Sequence, residues 1–251
     1  AALQAGFEIA WHERLGTPLS VRAADLGKRQ VFSGGKGLTL RKGGAFAEDA
    51  VAVLDSLSPL YEIKDAAAEF ALEKVVPDAK GFHHVRLSQR YGGLRVVGGG
   101  LIVHFDNADA AYEVNGQFIP DIAVSTTATV SASAAIKIAQ AKQSEVTGSQ
   151  GELEARPELV VFARNCPPRL AHELTLLVRE NRQVTGRWRY WVDAQQGTIL
   201  SYHNDIKRID PPVLGELAPV TGSVLPREGG AAKEIIGWRE VAYLTNAAPE
   251  D

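Results

Sequence analysis

The chain of 251 residues has a single cysteine, Cys166, and no methionine. One thiol excludes an internal disulfide, so the fold must rest on its own core. Aromatic residues are sparse at 7%. No apolar run is long enough to cross a bilayer as a helix, so no membrane span is expected. Neither sign of charge dominates, with 27 Lys and Arg against 30 Asp and Glu. That balance gives no basic face for nucleic acid, and none is expected as a partner. Catalytic motifs are missing too. A zinc protease helix needs His-Glu-x-x-His, two imidazoles one turn apart with Glu as base. His12-Glu13 and His172-Glu173 both lack the second His. There is no Gly-x-Ser-x-Gly elbow, and Cys166 has no Cys/His signature around it. The chain is read as non-catalytic, with no cofactor and no metal. Beginning at Ala1 without Met, it reads as a processed or trimmed product, from which a signal peptide would already be gone.

What is present is ordinary globular material, 45% hydrophobic and 23% charged. Phe7 to Trp11 alternates like a strand, Gly16-Thr17-Pro18 is a turn and Leu19 to Val21 is extended. Ser33 to Gly37 is a flexible loop without phosphate-loop spacing. Ala50, Val53, Leu54 and Leu57 fall at helical spacing, and Ala67, Phe70, Ala71, Lys74 and Val75 do so again. Two helices within 45–76 are therefore expected, separated at Pro59 and stopped by Pro77. From His84 to His104 two alternating runs flank Gly92-Gly93, a hairpin signal. A third strand is expected from Ala111, closed by an Asn115-Gly116 turn. Ser131 caps a helix with a stripe at Ala135, Ile138 and Ala139. After a polar loop over 146–156, strands are expected at 159–163, 171–179, 188–193 and 198–203. Pro211-Pro212 is a stiff linker, followed by short strands near 220–225 and 235–238.

The hairpin carries a polar set that no sheet requires. His84, Arg86, Gln89, Tyr91, Gly93, Val96, Gly98 and His104 keep fixed spacing. This pattern resembles the fungalysin/thermolysin propeptide motif of secreted thermolysin-like zinc metalloproteases. Trp188 to Leu200, with Trp191, Val192-Asp193-Ala194 and Gly197, is similar to the PepSY domain that follows it in such pro-regions. The resemblance implies an α+β fold of two consecutive cystatin-like units, each an antiparallel sheet wrapped on a helix, with an extended C-terminal β-rich segment. It implies four parts: an N-terminal β-rich segment 1–53, a propeptide-motif domain 54–120, a PepSY-like domain 121–205, and a linker with the start of a downstream β segment at 206–251.

It further implies a secreted, extracellular or periplasmic pro-region that serves as intramolecular chaperone and inhibitor. The partner would be a thermolysin-like metalloprotease domain, in cis or in trans. The alternative is a free-standing extracellular PepSY-type inhibitor or cell-wall binding module. The motif residues His84, Arg86, Gln89, Tyr91, Gly93, Gly98, His104, Trp191, Asp193 and Gly197 are expected to build the fold and its docking face. His203, Asn204, Asp205 and Ile206 are the candidate inhibitory or cleavage segment, with a maturation junction between Asp205 and Val220. His84 and His104 are expected to bond within the domain, with Arg86 and Tyr91 fixing a sheet edge, and not to hold metal. Cys166 is expected to be a small buried hydrophobe, and Glu152 and Glu154 to be solvated.

Overall fold

A computed structural model of the chain describes residues 7–23, 46–164, 166–179 and 185–206, and the backbone of 219–224 and 233–238. The Ser33–Gly37 loop and the Pro211-Pro212 linker lie outside the described residues, as does most of the expected junction. The chain divides into two compact units, Ala1–Asp205 and Ile206–Asp251.

The first unit is α+β. Its strands are β1 (Phe7–Trp11), β2 (Pro18–Ala23), β3 (Phe70–Pro77), β4 (His83–Tyr91), β5 (Leu94–Phe105), β6 (Ala111–Gln117), β7 (Glu152–Leu153), β8 (Glu158–Phe162), β9 (Arg169–Val178), β10 (Gly186–Asp193) and β11 (Ile199–Asn204). Its helices are α1 (Phe46–Ser56), α2 (Ser58–Tyr61), α3 (Ala66–Glu69) and α4 (Ala132–Thr147). In the second unit β12 (Pro219–Val224) and β13 (Lys233–Trp238) pair antiparallel, close to the two short strands expected there.

The helix with the best apolar stripe forms as read. Ala50, Val53, Leu54 and Leu57 are fully buried on one face. They pack with Tyr61 and Phe70 against Val85, Leu87, Leu101, Val103 and Phe105 of the sheet. Pro59 stands in the first turn of α2, where a missing N–H costs nothing.

The second expected helix is corrected. Only Ala66–Glu69 is helical, capped by the Asp65 carboxylate, which accepts from the N–H groups of Ala67 and Ala68. At Phe70 the backbone turns extended (φ −132°, ψ 144°) and becomes β3. Phe70 to Pro77 then pairs with Gln89 to His83 of β4, with a bulge between Leu72 and Lys74. The ladder satisfies the backbone of β4, and the β-branched pair Val75-Val76 suits an extended chain. So β4 is an inner strand, and its outward edge is covered by β3.

The Gly92-Gly93 hairpin is present, with φ of 54° and 81° at the turn. The Asn115-Gly116 turn is not. β6 runs straight through both residues, and Gly116 pairs with Leu101 of β5. The polar stretch after α4 also includes the short β7, which pairs with β9.

α4 forms as read from Ser131, whose hydroxyl accepts from Ala134 N–H. Ala135 and Ala139 pack on Leu174, Leu176, Tyr190 and Val192, with Ile138 partly buried beside them. The two helix-on-sheet layers do not have separate sheets. Along one edge β5 pairs with β4 over its length. Along the other, Val96 and Val97 pair parallel to β8, while Gly100 to Phe105 pair with β6. One eleven-stranded sheet results. The β1–β2 hairpin joins it through β6, so the N-terminal strands extend the same sheet.

Candidate functional site

The propeptide-like hairpin places its polar residues on both faces. Val85 and Leu87, and opposite them Leu101 and Val103, point into the core. His84 stands directly across from His104. Their Nδ1 atoms are 2.7 Å apart, so one ring donates and the other accepts. His84 Nε2 lies 3.6 Å from the Asp78 carboxylate in the β3–β4 turn. Bonding within the unit is therefore what the pair does. Among the described residues no cluster of three or more His, Cys, Asp or Glu is placed to hold a metal.

Only one proton fits between those two nitrogens. Burial holds the His104 imidazole below its ordinary 6.5, and the positive charges of His84 and Arg86 add to this. Asn115 and Glu113 on β6 oppose the shift. A depressed histidine favours the folded state when neutral. Its contribution is complete above the unfolded value of about 6.5 and is lost as pH falls below it. Between pH 7 and 5 the chain should lose about 1 kcal/mol, one neutral hydrogen bond. Thermal melts at both pH values check this, and His104→Asn should flatten the difference. Asp78 is held below its usual range first by the Phe82 N–H and acts in a separate, lower window.

Gln89 is 2% exposed and spends both ends of its amide on one residue. Its Nε2 donates to Ile119 O at 2.7 Å, and its Oε1 accepts from Ile119 N–H at 2.9 Å. Tyr91 donates its hydroxyl to Val124 O at 3.3 Å. Both residues thus pin the connection between β6 and α4. This corrects the reading of Tyr91 as a fixture of the sheet edge. Arg86 is exposed on the solvent side of β4. Gly98 sits where β5 exchanges β8 for β6, and a Cβ there would lie 3.1 Å from Arg164 Cα.

The second signature is built from β9, β10 and β11. Trp191 is 1% exposed, and its Nε1–H donates to Glu173 at 2.6 Å. Asp193 is buried and accepts from the N–H groups of Gln195 and Gln196. Arg169 lies 3.1 Å from its other oxygen. Gly197 closes that turn at φ 72°, donating to Asp193 O.

No motif pointed to the charged ladder on the same face as Trp191. Glu158 and Glu173 share Arg95 at 3.2 and 3.0 Å. Glu173 also meets Arg189 at 3.5 Å. Arg189 and Arg187 both bind Asp205, at 2.7 and 2.8 Å. Arg187 ends on Glu154 at 2.6 Å, so Glu154, though exposed as expected, is also paired. The only available signal was alternation along β9 and β10, legible once their register is known. That register also disposes of His172-Glu173. Adjacent strand residues face opposite ways. His172 Nε2 bonds Val130 O while Glu173 joins the ladder.

His203 and Asn204 close β11, and Asp205 is held beside them, with His203 Nε2 2.9 Å from its carboxylate. Cys166 is exposed in the β8–β9 loop, not buried. No helix among the described residues is long and apolar enough to cross a membrane.

Comparison with known proteins follows this geometry. Residues 68–118 match the Fungalysin/Thermolysin Propeptide Motif. The chain is 32% identical to thermolysin of Alicyclobacillus acidocaldarius subsp. acidocaldarius over 155 residues, covering 58% of this chain and 27% of that protein. It is 25% identical to bacillolysin of Bacillus subtilis (strain 168) over 187 residues, covering 72% and 34%. With the thermostable neutral protease NprT of Geobacillus stearothermophilus the identity is 27% over 229 residues, covering 87% and 38%. The aligned regions thus span between about a quarter and two-fifths of these relatives' lengths.

Proposed function

We propose that this chain, which carries the propeptide motif of thermolysin-like metalloprotease precursors, is the non-catalytic pro-region of a secreted enzyme of that kind. The observation that carries the reading is the motif match over 68–118, together with the structural use made of its residues. Gln89, Tyr91 and Gly98 hold together the sheet and the connection that the rest of the unit is built on. Such a surface can serve as a template.

The role we assign is intramolecular chaperone and inhibitor. A surface that binds the folded enzyme and not the unfolded chain draws folding towards the native state. Tethering raises the effective concentration, so modest contacts suffice until the link is cut. We assign residues 54–120 to the propeptide-motif part and 121–205 to a PepSY-like part, each a cystatin-like helix on its stretch of the shared sheet. The exposed side of the hairpin from Arg86 to Arg95 is the proposed docking face for the enzyme. The polypeptide beyond Ile206 is proposed to enter the active-site cleft as an added strand.

The test is inhibition in trans. The purified chain is added to the mature thermolysin-like protease of the same organism, and peptide hydrolysis is followed. With Kd near about 1 μM, 10 μM chain should slow hydrolysis about tenfold. Unchanged hydrolysis at that concentration overturns the reading. Arg86→Glu should weaken inhibition while leaving the melting temperature in place, because the side chain is exposed.

A further inference from the structure

The first compact unit ends at Asp205 and the second begins at Ile206. The last residues of the first are fastened at several points. Asp205 N–H donates to Arg187 O at 2.8 Å. One carboxylate oxygen receives Arg187 at 2.8 Å and Arg189 at 2.7 Å. The other lies 2.9 Å from His203 Nε2. The Asn204 side-chain oxygen accepts from Arg187 N–H at 3.1 Å. Both arginines are themselves held, Arg187 by Glu154 and Arg189 by Glu173. Just upstream, Ser201 to Asn204 are paired with Trp191 to Trp188. Ile206, the next residue, is 47% exposed.

An endoprotease takes its substrate as an extended strand spanning residues on both sides of the scissile bond. A bond inside β11, or beside Asp205, reaches that state only after local opening of the sheet. Opening there breaks the β10–β11 ladder and strips a partly buried carboxylate from two guanidinium groups. Charge-assisted bonds of this kind are stronger than exposed ion pairs.

We propose that Asp205, clamped by Arg187 and Arg189, is the processing stop of this chain. Around this boundary it confines proteolytic separation to bonds beyond Ile206 and leaves β10 and β11 intact. His203, Asn204 and Asp205 are then the protected anchor and not the cut itself. The proposal deepens the pro-region reading, because it assigns where the released piece ends.

The experiment is limited proteolysis of the full chain with trace proteinase K, an unrelated enzyme, followed by mass mapping of new C-termini. Among cuts C-terminal to Thr185, every early one should fall beyond Ile206. Asp205→Ala should bring cuts between Ile199 and Ile206 about tenfold faster, the effect of opening made about 1.4 kcal/mol easier. Arg189→Ala should do the same from the other side of the clamp. Near-UV circular dichroism, to which Trp188 and Trp191 contribute, should be unchanged in both variants and so checks that the sheet is kept. Wild-type cuts within 199–205 as early as those beyond 206 would overturn the proposal. So would unchanged early products in both variants. Inhibition in trans is scored separately. A protected boundary without inhibition sinks the pro-region reading and leaves the clamp. Inhibition without a protected boundary does the reverse.

Discussion

Gly116→Ala is expected to destabilise the chain by about 3–5 kcal/mol, among the largest effects of any single methyl group here. Two costs combine. The residue has φ +130° inside a continuous strand, a conformation that side-chain-bearing residues avoid. A Cβ there would lie 2.3 Å from Gly100 O and 3.1 Å from Leu101 Cα. Both atoms belong to the backbone of β5, so no rotamer change relieves the contact. The strand that would have to move is shared by β4, β6 and β8, and the damage cannot stay local. At about 2–4 °C per kcal/mol the melting temperature should fall by roughly 6–20 °C. Gly16→Ala is the comparison. It also has positive φ, at 71°, but nothing lies within 4 Å of its Cβ. Its cost should be about 1–2 kcal/mol, backbone strain alone. Equal melting temperatures for the two variants would contradict the close approach of β5 and β6.

The same glycine shows what a sequence reading can and cannot reach. Asn-Gly is the strongest two-residue hairpin signal, and at Gly92-Gly93 the analogous signal was right. Both sites supply positive φ. What differs is whether the chain reverses, and that is decided by pairing partners distant in sequence. Phe70 to Pro77 tells a similar story. Its apolar spacing fits a helix, yet the exposed edge of β4 was available and an extended chain satisfied it. Local periodicity records side-chain faces and not backbone partners. Where helix and core agreed locally, at α1 and α4, stripes and caps were legible. The hairpin from His84 to His104 was legible because its spacing is specific. The Asp205 clamp was not. Its charges come from β10, the end of β11 and the β7 region, and each charged residue alone reads as solvated surface. The continuous sheet was hidden for a related reason. It depends on the parallel pairing of Val96 and Val97 with Val161 and Phe162, which no adjacent segment announces.

The second large effect belongs to Gln89. Gln89→Leu keeps the volume but removes both partners of Ile119. The N–H and C=O of Ile119 would stay buried without hydrogen bonds, at about 1–3 kcal/mol each. The expected loss is therefore about 2–6 kcal/mol, read as a lowered midpoint in urea with an unchanged slope. Ile119 packs with Val96, Val161 and Ala163, where β5 meets β8. Loosening it weakens the link between the two helix-bearing layers, so inhibition in trans should fall along with stability. Gln89→Glu separates hydrogen bonding from packing. An ionised carboxylate still accepts from Ile119 N–H but faces Ile119 O without a proton to give. Burial beside a carbonyl raises the folded-state pKa of this glutamate above its unfolded value of about 4.3. The variant's added stability is then complete below that value and lost as pH rises through the folded one. The deficit against wild type should therefore shrink on going from pH 7 to pH 4.5. Since acid weakens the His84–His104 pair in both proteins, the comparison must be made at matched pH. A constant deficit across that range would mean that the amide serves only to fill space.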